Sequence, residues 1–396
     1  MYLKEQGYIV RVFNLVQPEH SDRWNCINEV SHDQMMAQIC ADVIIKNTGG
    51  GKTDHFWDSS ELNLLKALIL YVDYEKNELN QRFEMLPSGH PAKAPYHIFQ
   101  QAGDKVRGGV IIGLGARLQV FQNASICDIT AQDEFDLSRP GREKCAFFCI
   151  SSDQDSTFDF LSSLFFSFLF IKLVRYADAE GVDGKLPIGV NFVLDEFPNL
   201  GVINDFKKKI STVRSRNIGI SVIFQNIAQL KNRYPNDEYL EILGNCDTQI
   251  ALGCTDEVTA RFISNRTGEV TIDVNSQSKQ LHAMRMTDYT PEYRETNSVG
   301  RRKLMTADEV LRMPLDEALI ILRGQNVFKV KKFDYTRHPE SRKLKKCKAA
   351  AYIPDWRKEK EDDSIVQSVE DTIQEKKEEK PKSRTVQISK KELMSK

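Results

Sequence analysis

Between residues 145 and 254, short uninterrupted apolar runs alternate with longer segments of helical character, and this alternation leaves the fold little freedom. The runs are CAFFCI (145–150), NFVLDEF (191–197), GISVIFQ (219–225) and TQIALGC (248–254), with a long helix expected from Ser156. A strand that is apolar at nearly every position must be covered on both faces. Parallel sheets with helical crossovers provide that cover, whereas antiparallel sheets commonly leave one face wet. The segment therefore predicts an α/β domain with a mainly parallel sheet. The stretch from Phe158 to Val174 falls just short of the roughly 18 apolar residues that suggest a bilayer span, and Asp159 and Lys172 flank it. It reads as a buried helix of the same domain.

Around this core the 396-residue chain divides into four parts. Residues 1–54 open with a helix and then a strand, Tyr8, Val10 and Val12 alternating against Arg11 before Asn14 ends the run. Residues 55–137 change to helical periodicity, with Leu62, Leu65, Ala67, Leu68 and Tyr71 on one face, and predict an inserted all-alpha domain. Residues 138–338 hold the apolar strands and end in EALIILRGQNVFKVKKFDY (317–335), which predicts paired strands turning at Gly324–Asn326. In residues 339–396 charge takes over, and beyond about Trp356 there is too little apolar surface to fold alone, so a largely disordered tail is expected. The net charge of −1 neither demands nor excludes a nucleic-acid partner. Eight cysteines without a C-x-x-C pair read as reduced structural thiols, and seven scattered histidines lack ligand spacing. The first residues show no charged-then-apolar leader for secretion.

The chemistry concentrates at strand ends. NFVLDEF delivers Asp195 and Glu196 where an open α/β sheet binds its ligands. This is the Walker B pattern, in which Asp195 holds Mg²⁺ through its water shell and Glu196 orients the water that attacks a γ-phosphate. Alone, it could equally be a strand ending in an acidic turn. The following strand ends in Gln225, whose amide suits a sensor that bonds phosphate oxygen and releases it without a change of charge. Between them Arg214 is a candidate finger toward a neighbouring subunit's phosphates. Lys207, Lys208, Lys209 and Arg216 could meet nucleic acid or simply form a solvated basic face. One lure fails: NTGGGKT (47–53) has the wrong spacing for a phosphate loop and is not followed at once by a helix, so it reads as a glycine hinge into the helical insert.

The motifs VLDEFPNLG (193–201), STVRSRNIGISVIFQNIAQL (211–230), ILGNCDTQIALGCTD (242–256) and DHFWDSSELNLLKALILYV (54–72) resemble, taken together, the VirD4/TraG coupling ATPases of conjugation-type secretion systems, from residue 1 to about 355. The resemblance implies a RecA-like P-loop NTPase core using ATP and Mg²⁺. Asp195 and Glu196 then fall on the Walker B acids, Gln225 on the polar sensor, Arg214 on the trans arginine, and 55–137 on an all-alpha domain implicated in choosing substrate. It further implies a homo-hexamer at the cytoplasmic face of the plasma membrane, linking a relaxase and its single-stranded DNA to the secretion channel. Family members carry membrane-spanning helices, a phosphate loop and a Lys-Gly-Glu segment ahead of the helix that here starts at Tyr2, and residues 1–396 contain none of them. The chain alone is thus expected to be cytoplasmic and weakly active or inactive. Two other readings stay open: a non-catalytic adaptor binding substrate or single-stranded DNA, and a fragment of an FtsK/HerA-like DNA motor.

Overall fold

The structure, a computed structural model, describes residues 2–30, 33–49, 55–74, 86–87, 89–152, 154–280 and 292–358. Most of the glycine stretch (Gly50–Thr53) and the tail expected from residue 359 onward lie outside these residues. A short helix, α1 (Tyr2–Glu5), leads into β1 (Ile9–Asn14), which pairs in parallel with β2 (Cys145–Ile150), Ile9 opposite Cys145 and Asn14 opposite Ile150. The chain between them is helical: α2 (Gln34–Thr48), α3 (His55–Tyr74), α4 (Lys93–Gln101), α5 (Asp104–Arg117) and α6 (Ala124–Thr130). After β2 come α7 (Asp159–Glu180), β3 (Val190–Leu194), α8 (Phe206–Thr212) and β4 (Ile218–Val222). Strands β3 and β4 pair in parallel, from Val190 opposite Ile218 to Leu194 opposite Val222. The remainder is α9 (Ile227–Arg233), α10 (Glu238–Gly244), β5 (Thr248–Ala251), α11 (Glu257–Thr267), β6 (Glu269–Gln280), β7 (Glu292–Lys303), α12 (Ala307–Leu311), β8 (Glu317–Leu322) and β9 (Phe328–Lys331).

The α/β class holds, with β1–β2 and β3–β4 as its parallel pairs. The expectation of parallel pairing fails at β5, which lies antiparallel to β8, itself antiparallel to β9. A continuous apolar run reports burial on two faces, not strand direction, and here the partner strand decides it. The β8–β9 hairpin turns where the sequence places it, with Gly324 at φ +74°.

Helix α7 organises the core. It is long and apolar enough by composition to cross a membrane, yet 67% of its apolar window is buried inside the protein. A helix apolar on all sides has to be surrounded. Phe165 packs against Phe13, Trp24 and Phe135 at ring distances of 5.3, 5.2 and 5.3 Å, and Phe170 stacks on Phe192 of β3 at 4.0 Å. The helical segment contributes to the same core, which runs from Phe13 and Trp24 through Leu65, Leu114 and Ile126 to Leu194. Arg117 of α5 is buried and bonds Glu61 and Asp58 of α3 together with the Ile45 carbonyl of α2. All eight cysteines are free thiols, as their spacing suggests.

Candidate active site

On β3, Phe192 and Leu194 turn inward, so the residues that follow emerge at the carboxyl end of the strand with Asp195 in solvent. The β3–β4 ladder continues past the carboxylates: the Ile223 amide donates to the Leu194 carbonyl and the Phe197 amide to the Ile223 carbonyl, both at 2.9 Å. Phe197 is fully buried and stacks on Tyr234 at 5.2 Å, with Phe206 at 4.5 Å. Between a bonded strand and a buried anchor, Glu196 takes up the change of direction in the left-handed region, φ 46° and ψ 43°. Non-glycine residues rarely adopt that conformation, and such strain clusters at functional sites.

The turn and the strand register bring the two halves of the expected constellation together. Gln225 Nε2 donates to Glu196 Oε1 at 3.0 Å, and the Glu196 amide donates to Asp195 Oδ1 at 3.1 Å. Asp195, Glu196 and Gln225 therefore share one end of β3–β4. Magnesium asks of a protein only one or two carboxylates, the rest of its octahedron being water and phosphate. An exposed Asp195 beside Glu196 fits that demand. No larger cluster of metal-binding side chains occurs among the described residues.

The turn is held from behind by residues that the sequence did not point to. Asn47 grips both polar groups of Val202: its Oδ1 accepts from the amide at 2.6 Å and its Nδ2 donates to the carbonyl at 3.1 Å. Ser162 donates to the Leu200 carbonyl at 3.0 Å, and Ser163 to the Val202 carbonyl. Gly201, at φ +78°, lets this happen, since a Cβ there would meet Asn47 Oδ1 and the Asp159 carbonyl at 2.8 Å each. Arg233 Nε donates to the Pro198 carbonyl at 2.6 Å, and its guanidinium lies 3.6 Å from the buried Asp159 carboxylate. Burial raises Asp159 to about 6 despite that arginine. Asn47 and Thr48, which the sequence suggests as the start of a hinge, are the last turn of α2. The signal for this is a helix-compatible run, QMMAQICADVIIKNT, carried right up to the glycines.

The remaining candidates lie elsewhere. Arg214 and Arg216 precede β4, the far end of the strand from Gln225, and they pair with Asp247 at 2.7 Å and Asp178 at 2.9 Å. A five-residue strand separates them from Glu196 by roughly 15 Å, too far for a contact within one chain. Lys207 pairs with Glu238 and Glu241, Lys209 turns back to the Asn204 carbonyl, and Lys208, 74% exposed, faces solvent beside Asp205. Burial lowers Lys209 to about 8.

Comparison with known proteins bears on this geometry. The chain is 24% identical over 242 residues to VirD4 of Rhizobium rhizogenes, covering 61% of this chain and 34% of that protein. It is 23% identical over 336 residues to the conjugal transfer protein TraG of Escherichia coli, covering 74% and 51%. It thus spans about a third to a half of those relatives' length. Among solved structures, the bacterial conjugative coupling protein TrwB lacking its first 70 residues superposes with a TM-score of 0.56 at 15% identity, over 83% of this chain and 75% of that one. TrwB in complex with a non-hydrolysable ATP analogue gives 0.57 at 17% identity over 83% and 76%. The shared fold is that of TrwB. The family model for Type IV secretory system Conjugative DNA transfer matches residues 2–85 and 73–363, almost all of what the structure describes. With the motifs, the fold and this match in agreement, the chain belongs to the conjugative DNA transfer family of the type IV secretory system, the family of the VirD4/TraG-type coupling proteins.

Proposed function

We propose that this chain is the carboxylate-bearing part of an ATP-driven coupling motor that links relaxase-bound single-stranded DNA to a type IV secretion channel. The observation that carries the reading is the bond from Gln225 to Glu196 at adjacent strand ends, beside an exposed Asp195. In this assignment Asp195 would hold Mg²⁺ through its water shell, and the cation would lower the negative charge met by the incoming water. Glu196 positions that water and takes its proton, while Gln225 steadies the carboxylate until a γ-phosphate competes for the amide. Arg214, too distant to serve its own chain, acts on the site of the next subunit in a homo-hexamer. Lys208, with Lys207, Lys209 and Arg216, contributes positive charge toward the DNA backbone, and residues 55–137 choose the substrate. The assembly works at the cytoplasmic face of the plasma membrane.

Solved TrwB complexes contain an ATP analogue and ADP with Mg²⁺, which supports the same ligands here. Residues 1–396 contain no G-x-x-x-x-G-K-[ST] loop, so the purified chain alone should turn over ATP weakly or not at all. The reading is tested in donor cells that express the protein with Glu196→Gln or Asp195→Asn at unchanged level. Conjugative transfer should fall on the order of 100-fold or more. Transfer at the parental frequency would overturn the motor and leave a non-catalytic adaptor.

A further inference from the structure

From Lys329 to Lys348 the sequence KVKKFDYTRHPESRKLKKCK carries nine lysines and arginines against two acids, in a chain whose net charge is −1. A stretch so charged, with few apolar side chains to bury, does not fold by itself. It is instead pinned to the body as a strap. At its start the Lys332 amide donates to the Asp316 carbonyl at 2.7 Å and Lys332 Nζ to the Leu252 carbonyl at 2.6 Å. In its middle the Tyr2 hydroxyl donates to Glu340 Oε2 at 2.5 Å. Just beyond its end Tyr352 donates to Asp22 at 2.7 Å and Trp356 to the Ser21 carbonyl at 2.8 Å, with the Arg23 guanidinium over the indole. Its other polar side chains close two short turns, the Asp334 carboxylate accepting from the Thr336 amide and the His338 ring from the Glu340 amide. What the strap then shows to solvent is cationic and aromatic. Lys329 and Lys331 are answered by Glu317 and Asp316, and Lys343 by Glu340. Arg337, Arg342, Lys345, Lys346 and Lys348 are exposed and enter no ion pair among the described residues. Phe333 is 71% exposed and Tyr335 68%. Like charges repel and bare rings bury nothing, so this surface gains when a polyanion with flat apolar faces covers it.

We propose that residues 333–348 are a binding surface for single-stranded DNA, with Phe333 and Tyr335 stacking on bases and Arg337, Arg342, Lys345, Lys346 and Lys348 meeting phosphates. Charge and rings together select this ligand. A duplex satisfies the charge, but its bases are stacked on one another and closed to the rings, whereas a single strand offers phosphates and base faces at once. An anionic membrane also satisfies the charge, yet the strap has no continuous apolar face to enter it: Leu344 stands between Lys343 and Lys345. Contacts to phosphates and base faces carry no sequence information, so a strand of any sequence is taken. The surface is distinct from helix α8, where Lys207 is held by Glu238 and Glu241 and Lys209 by the Asn204 carbonyl. It rests on charge and exposed rings; only the choice of DNA over RNA rests on the proposed motor reading.

The test is fluorescence anisotropy of a labelled oligothymidine titrated with the full chain, without ATP, over a series of salt concentrations. Five phosphate contacts predict that log K falls with log salt at a slope of about −3.5. The triple variant Lys345→Ala, Lys346→Ala, Lys348→Ala should flatten the slope to about −1.4 and weaken binding by at least about tenfold at about 0.1 M salt. Phe333→Ala with Tyr335→Ala should weaken binding of the single strand by about tenfold or more, while leaving the slope and the binding of a duplex unaltered. Every substituted position is exposed, so both variants should keep the thermal melt of the parent. The surface is overturned by an oligothymidine that fails to bind at about 0.05 M salt, by a lysine variant or a ring variant that binds it as the parent does, or by a ring variant that loses duplex and single strand equally. It is also overturned by phosphatidylserine–phosphatidylcholine vesicles that displace the strand and themselves depend on Phe333 and Tyr335. Strand binding together with parental conjugative transfer in Glu196→Gln donors keeps the surface and sinks the motor. Lost transfer in those donors together with no strand binding sinks the surface alone.

Discussion

Gln225 and Glu196, 29 residues apart in sequence, meet through a 3.0 Å hydrogen bond from Nε2 to Oε1. The bond exists because Leu194 stands opposite Val222 in the parallel ladder, so both strands end at the same level. In the assembled motor Gln225→Ala should lower kcat for ATP by about 10- to 100-fold and leave KM within about threefold, because it releases the carboxylate and removes a γ-phosphate contact that is strongest as the phosphate reacts. Steady-state turnover at saturating and limiting ATP separates the two constants. A raised KM with unchanged kcat would mean that Gln225 only binds nucleotide.

Glu196 holds its side chain by accepting φ +46°. A left-handed residue costs roughly 1–2 kcal/mol, glycine escapes that cost, and a β-branched residue suffers it most. Glu196→Gly should therefore fall within about 1 kcal/mol of the parent in urea unfolding, since relieved strain offsets the added freedom of the unfolded chain. Glu196→Ile should lose about 2 kcal/mol. Equal stability of the two variants would show that the turn relaxes and that no strain is held there.

The carboxylates and the glutamine could be read from the sequence because each ends an apolar run, and a buried strand leaves its polar terminus only one place to go. Their contact could not, since it depends on which residue of β3 faces which residue of β4. Nor could the position of Arg214: eleven residues from Gln225, it looks adjacent but lies at the opposite end of the strand. Strand direction was hidden for β5 because apolarity measures burial alone. The β6–β7 ribbon is hard to see although Val270, Ile272 and Val274 alternate, because its second strand offers Val299 almost alone among polar residues. Asn47 is masked by the glycines after it, which favour a loop.

Arg117 joins three helices from within the core, with side chains of Arg117 and Glu61 each 7% exposed. Removing one partner of a buried ion pair strands the other charge, at about 3–5 kcal/mol. Arg117→Met should lower the urea midpoint accordingly. The double variant Arg117→Met with Glu61→Leu should recover much of the loss, because it leaves no unpaired charge on Glu61. A double variant as unstable as the sum of the single ones would mean that packing, not charge, is what Arg117 supplies.

Asp159, 7% exposed at the start of α7, is raised to about 6 by burial, with Arg233 pulling the other way. Its unfolded value is about 3.9, so between these limits the folded state binds the extra proton. Proton uptake by the folded state means that stability is highest below about 4 as far as this group is concerned, and declines as pH rises toward about 6. The full decline amounts to a few kcal/mol, since each pH step of one between the two values costs about 1.4 kcal/mol. Asp159→Asn removes the titration while keeping the size of the side chain, so its advantage over the parent should grow from pH 4 to pH 7 and then level off. Urea unfolding of both proteins across that range measures the difference. A constant offset would show that Asp159 stays charged in the fold through its pairing with Arg233.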